Sequence, residues 1–201
     1  MSVVWGSLAA AAMLMQAPAA PAPTFTRPGS PDAEATLALS ALPESLRAGA
    51  TVYVLGRKGY EKHRSGTNGL TCLVEQSRPD TQEPICWDVE GAETIMPLVI
   101  DKAAWRAAGA AEDEIERRAA TGFESGKYRA PRRSGVAYML SADNYVFNGQ
   151  KVIKYSPHVM FYAPYLTNKD IGSNGKDPNA PWILGEGSPH AYIIVVTKHG
   201  K

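Results

Sequence analysis

LTCLVEQSRPDTQEPICWDV, residues 70–89, holds two apolar, β-branched runs separated by a polar link, with one of the chain's two cysteines in each run. Residues 70–75 and 85–89 read as strands. A hairpin centred near Pro79 sets Cys72 opposite Cys86, and opposed residues of an antiparallel pair have Cα atoms about 4.5–5.5 Å apart, within disulfide range. Closing a loop of this size contributes roughly 3 kcal/mol in the chain-entropy account. The alternative is two buried thiols. A metal centre needs more ligands at matched spacing, and none stand nearby. A structural disulfide between Cys72 and Cys86 is therefore expected, and it says nothing about catalysis.

Strand signals continue on both sides of this hairpin. Residues 51–55 (TVYVL), 135–140 and 159–162 have β-branched or aromatic composition. Asn148-Gly149, between residues 145–147 and Val152-Ile153, is a hairpin signal of the two-residue type. The last strand spans residues 192–197, and its run YIIVV (192–196) predicts a central strand buried on both faces. Helices fall at the start and in the middle. Ser30 is placed to cap a helix with Pro31 at its first position and Asp32 at the positive end of its dipole; Leu37, Leu39 and Leu42 anchor it, and Pro43 stops it. Asp101 is expected to cap an Ala-rich helical region ending near Gly122. In it Trp105, Ala108, Ala111 and Ile115 share a face, Gly109 offers a break, and residues 112–118 (EDEIERR) form a solvated side. Strands in adjacent runs with grouped helices indicate an α+β single domain, mainly an antiparallel sheet with flanking helices.

Residues 1–26 carry no charged side chain, and residues 3–15 are an unbroken apolar and small-residue run. Ala17-Pro18-Ala19 supplies the small-x-small pattern of a signal-peptidase site, although the usual basic start is missing and the first basic residue is Arg27. Cleavage after Ala20 or Ala22 would leave a proline next, so residues 1–19 are read as a signal peptide. Residues 20–29, rich in Pro and Ala, are read as a flexible tether and 30–201 as the domain. A spanning helix needs about 20 apolar residues, more than this run provides, so no membrane span is expected after leader cleavage. A periplasmic or secreted location follows, and disulfides persist there. The formal net charge of +1 argues against a nucleic-acid partner.

No standard catalytic motif is present. Residues 122–127 (GFESGK) are one residue short of a phosphate-binding loop and are followed by Tyr128. Ser156-Pro157-His158 and Ser188-Pro189-His190 each stand before an apolar run, which puts a proline at a strand entrance and a histidine early in the strand. If those strands are parallel neighbours, both imidazoles emerge at one end of the sheet; if antiparallel, they lie at opposite ends. Either histidine suits a general base or a metal ligand, and Asp143 could orient one or form a local turn. His158, His190 and Asp143 are the catalytic candidates. Residues 57–64 (RKGYEKHR) precede Gly66-Thr67-Asn68-Gly69 and read as a loop. Arg57, Lys58, Lys62 and His63 there suit an anionic ligand, or simply a solvated hairpin loop. Tyr162 and Tyr165 either line a pocket or close the core. No metal and no cofactor are expected.

Residues 49–75 (GATVYVLGRKGYEKHRSGTNGLTCLVE), PICWD at 84–88 and HVMFYAPYLTNKDIG at 158–172 resemble a family of exported bacterial proteins to which no activity is assigned. The resemblance spans about half of the mature chain. It implies export and a bacterial source, and it carries over no catalytic residue. The resulting expectation is an exported soluble protein that binds a small molecule outside the cytoplasm. The alternatives are a small extracytoplasmic hydrolase with a histidine base and a structural protein of the envelope.

Overall fold

The structure, a computed structural model, describes residues 25–148, 150–177 and 180–196. The expected signal peptide, tether residues 20–24, Gly149 of the hairpin turn and Thr197 of the last strand lie outside the described residues. The chain begins with α1 (Pro31–Leu39) and α2 (Glu44–Arg47). Four strands follow: β1 (Thr51–Gly56), β2 (Gly59–Arg64), β3 (Thr71–Glu75) and β4 (Thr81–Trp87). Three helices come next: α3 (Val89–Thr94), α4 (Met96–Ala107) and α5 (Glu112–Glu124). The remaining strands are β5 (Val136–Met139), β6 (Asn144–Phe147), β7 (Val152–Tyr155), β8 (His158–Tyr162), β9 (Trp182–Leu184) and β10 (Tyr192–Val196), with a 3-10 turn at Asn168–Ile171 before β9. The fold is α+β. The sheet runs β2-β1-β3-β4-β5-β8-β10-β9 and is antiparallel except at β1–β3.

The Cys72–Cys86 disulfide is formed between directly opposed residues of β3 and β4, with Cα atoms 4.0 Å apart. Side chains alternate across the sheet, so the same strand serves two cores. Cys72 and Val74 face α1 and pack with Ala35, Ala38, Val52 and Cys86. Leu73 faces the other way, towards Ile85, Trp87, Met160 and Ile194, where Ile95, Met96 and Ala103 of the α3–α4 region join them.

β4 changes partner along its free edge. Thr81 and Gln82 pair with β6, whereas Cys86 and Trp87 pair with β5. Pro84 lies in the gap. The close Cys72–Cys86 pair is of the non-hydrogen-bonded kind, and Val74–Pro84, two residues along, is therefore the same kind. The proline nitrogen thus faces the gap, where no ladder bond is lost. This switch lets the β6–β7 hairpin leave the plane of the main sheet.

Several sequence expectations are corrected. Ser30 does cap α1, accepting from the Ala33 N–H at 3.1 Å. Asp101, however, lies inside α4 and caps nothing; its carboxylate accepts from the Tyr128 hydroxyl at 2.6 Å and pairs with Lys127. Gly109, with φ +84°, does divide the helical region, so Ala108 and Ala111 sit at the break and share no helical face with Trp105. The strand expected at 85–89 begins earlier and ends at Trp87, because Asp88 caps α3 by accepting from Gly91 N–H. YIIVV is second from the sheet edge, not central: Tyr192 and Ile194 are buried, while Ile193 and Val195 are half-buried.

Gly66 marks a close crossing of two backbones. A Cβ there would meet the Gly49 carbonyl oxygen at 2.2 Å and Ala50 C at 2.3 Å, neither of which can swing aside. Gly66→Ala is expected to lower stability by about 2 kcal/mol, measured as a shift in the urea midpoint with unchanged slope.

Candidate functional site

Alternate residues of four strands present one apolar surface: Ile85 from β4, Met139 from β5, Met160 from β8, and Tyr192 and Ile194 from β10. α4 packs on β2 and α3 on β4, at one side of this surface. On the other side Val146 and Tyr155 of the β6–β7 hairpin, with Trp182 and Leu184 of β9, enclose a cavity of about 560 Å³. That size and an apolar floor with a few polar groups are what small-molecule sites offer. The polar groups are Glu75, Glu83, Lys154, Tyr155, Ser156 and His158.

His158 sits between Met139 and Val196 in the register and is 6% exposed. Its Nδ1 lies 2.7 Å from the Ser156 carbonyl, which can only accept. Nδ1 therefore carries the proton, and in the neutral ring Nε2 is the acceptor. Among the described residues no hydrogen bond engages Nε2. Burial lowers the pKa of this ring, which outweighs the Ser156 contact, so it stays neutral at physiological pH.

Glu75 and Glu83 oppose each other at the open end of the β3–β4 ladder. Among the described residues neither carboxylate has a hydrogen bond or an ion pair. Burial raises the pKa of Glu75, with Lys102 and Arg106 opposing. Burial, then the facing Glu75 charge, pushes Glu83 up to about 8, with Arg78 opposing. A carboxyl whose pKa rises on folding favours the folded state below its unfolded value near 4.5, and that advantage is lost as pH climbs through about 8. Glu83→Gln is thus expected to leave stability near pH 5 unchanged. At pH 9 it should raise stability by about 2 kcal/mol, after discounting for partial exposure, as measured by denaturant midpoints.

The other sequence candidates lie apart from this cavity. β8 and β10 are antiparallel, with Val196 opposite His158 and Tyr192 opposite Tyr162. His190 precedes Tyr192 and so stands at the far end, on the order of 15–20 Å from His158. It is in a turn, not in the strand; its Nε2 lies 3.0 Å from the Arg129 carbonyl, and its ring meets Phe123 edge-on. Burial lowers its pKa. Asp143 is exposed: its N–H donates to Ser141 Oγ and its carboxylate accepts from the Tyr145 hydroxyl, so it forms a local turn and orients neither histidine.

Of the basic segment, only Arg57 and Lys58 form a turn, and both are exposed. From Gly59 onward it is the edge strand β2, not a loop. Lys62 lies over the Tyr53 ring, His63 pairs with Asp32 at 3.0 Å, and Arg64 donates to the Ala50 and Arg47 carbonyls. These cations do not converge on one point. Tyr162 is buried and donates to Asp88 Oδ1 at 2.7 Å, locking β8 to the start of α3. Tyr165 is exposed, with φ 66°.

The glutamate pair escaped sequence reading although its signal was present. Glu75 and Glu83 each stand three residues inside a cysteine, so the register that pairs the cysteines also pairs the glutamates. No protein-family model, curated protein or solved structure matches this chain. Among the described residues, no group of three or more His, Cys, Asp or Glu is placed to hold a metal ion, and no helix is long and apolar enough to cross a membrane.

Proposed function

We propose that this chain is an exported single-domain protein that binds a small, largely apolar molecule outside the cytoplasm, in the cavity between the β6–β7 hairpin and the sheet. The observation that carries this reading is the cavity itself: about 560 Å³, floored by Ile85, Met139, Met160 and Ile194, with its polar groups confined to a few positions. Export is supported by the leader pattern at 1–19, by the resemblance to exported bacterial proteins, and by the disulfide, which suits an oxidising compartment. A hydrolase using His158 or His190 as base with Asp143 finds no support, because Asp143 is exposed and bonded within its own turn and the antiparallel pairing of β8 and β10 keeps the two histidines apart.

A thermal-shift series with neutral bicyclic and phenylalkyl compounds tests the cavity. A ligand at a hundred times its Kd stabilises by about 2.7 kcal/mol, or roughly 5–10 °C in a chain of this size. Met160→Trp, which fills the floor, should erase the shift while the far-UV circular dichroism stays native. Shifts that persist in this variant would reject the site. Export is checked by the mass of the protein recovered from the periplasm or medium, expected to begin at Ala20.

A further inference from the structure

The charges around the cavity's open end do not balance. Arg78 is paired with Asp80, Lys102 with Glu116 and Arg106 with Glu112, at 2.7–2.8 Å. These three cations are thereby committed to other carboxylates, and Glu75 and Glu83 are left over. Lys154, on the cavity wall, is held over the Tyr145 ring at 5.3 Å. A second, separate observation points to a hydrogen-bond donor as occupant: His158, nine-tenths buried and lining the same cavity, keeps its Nε2 lone pair without a partner among the described residues. Two carboxylates and one imidazole acceptor are thus left for an occupant, the Tyr155 and Ser156 hydroxyls can accept as well as donate, and Tyr155 and Trp182 add π faces that attract cations.

Resting on the reading of the cavity as a binding site, we propose that its occupant is a protonated amine on an apolar body, with the ammonium between Glu75 and Glu83 and the body over Met160 and Ile194. Binding is then coupled to proton release. The groups facing Glu83 are Glu75 from β3, Arg78 from the β3–β4 turn and Tyr155 from β7. Lys102 and Arg106 of α4 face Glu75 and are themselves held by Glu116 and Glu112 of α5. In the empty site Glu83 holds its proton up to about pH 8, and an ammonium displaces it. Amine affinity therefore rises with pH while the amine stays charged.

Isothermal titration with phenylbutylamine, phenylbutanol and phenylbutyrate, which share one apolar body, tests this. The amine is expected to bind tightest at pH 8 and roughly fiftyfold more weakly at pH 6, the ratio for one carboxyl ionising near pH 8. The alcohol should bind weakly at both pH values and the acid least. Glu75→Gln or Glu83→Gln should reduce amine affinity at least tenfold, to the level of the alcohol. If the alcohol or acid binds as well as the amine at pH 8, and Met160→Trp abolishes it, the amine assignment is overturned and the cavity reading stands. If none of the three binds, or if amine binding survives Met160→Trp, both fail.

Discussion

Trp87→Ala is expected to cost about 4 kcal/mol, the largest effect of any single side chain in this fold. Trp87 ends β4 and is fully buried. Its ring is surrounded by Leu73, Ile85, Ala137 and Tyr192, and Gly91 of α3 approaches so closely that a Cβ there would sit 2.8 Å from the indole. Removing the ring loses its transfer free energy and leaves a hole that sheet and helix cannot close without moving apart. It also removes the donor to the Tyr192 hydroxyl, 3.0 Å away, and that orphaned buried hydroxyl accounts for about 1 kcal/mol of the total. Trp87→Phe separates the two contributions, since it keeps most of the volume and loses only the hydrogen bond; a cost of about 1–2 kcal/mol is expected. Chemical denaturation measures both. A cost for Trp87→Ala below about 1 kcal/mol would mean that α3 does not rest on this ring. Because Tyr192 belongs to the cavity floor, the same variant should also weaken the ligand binding proposed above, although Trp87 itself does not line the cavity.

Removing the disulfide is the second large effect. The double variant Cys72→Ala/Cys86→Ala should lose about 3 kcal/mol and melt roughly 6–12 °C lower. The crosslink spans a separation of 14 residues, and its main action is to restrict the unfolded chain. Both cysteines are also fully buried beneath α1, so alanine leaves a small void beside Ala38 and Val52. Scanning calorimetry of the variant, and of the native protein in dithiothreitol, should give matching losses. A variant as stable as the parent would show that the β3–β4 ladder and α1 already hold the hairpin in the unfolded ensemble. The Glu75–Glu83 pair lies on the same ladder, so the pH dependence of stability should survive in the variant, because register is also fixed by Leu73 and Val74 packing on opposite faces.

Residues 70–89 were legible because both their signals are local. β-branched and aromatic runs favour extended backbone, and a short antiparallel connection allows one pairing of the two cysteines. The same holds for the Ser30-Pro31-Asp32 helix start and the Gly109 break, where a cap, a fixed φ and a left-handed residue act within one turn. β2 was misread because its charges suggested a loop, yet charged side chains are what an edge strand carries on its solvent side. α4 was misread because Asp101 imitates a cap, while its carboxylate is committed to Tyr128 and Lys127, which arrive from beyond α5. Nothing within a helical turn of Asp101 shows this.

By itself the sequence determined the α+β class and the disulfide, since each follows from residue type and short-range spacing. Tertiary structure decided where the chemistry lies. The strand order sends the two Ser-Pro-His histidines to opposite ends of antiparallel neighbours. The partner switch at Pro84 lifts the β6–β7 hairpin over the sheet face. Only then do Glu75, Glu83 and His158, from three different strands, meet at one cavity. Such a meeting depends on non-local pairing, and pairing is selected by the burial of whole faces rather than by the residues that end up at the site.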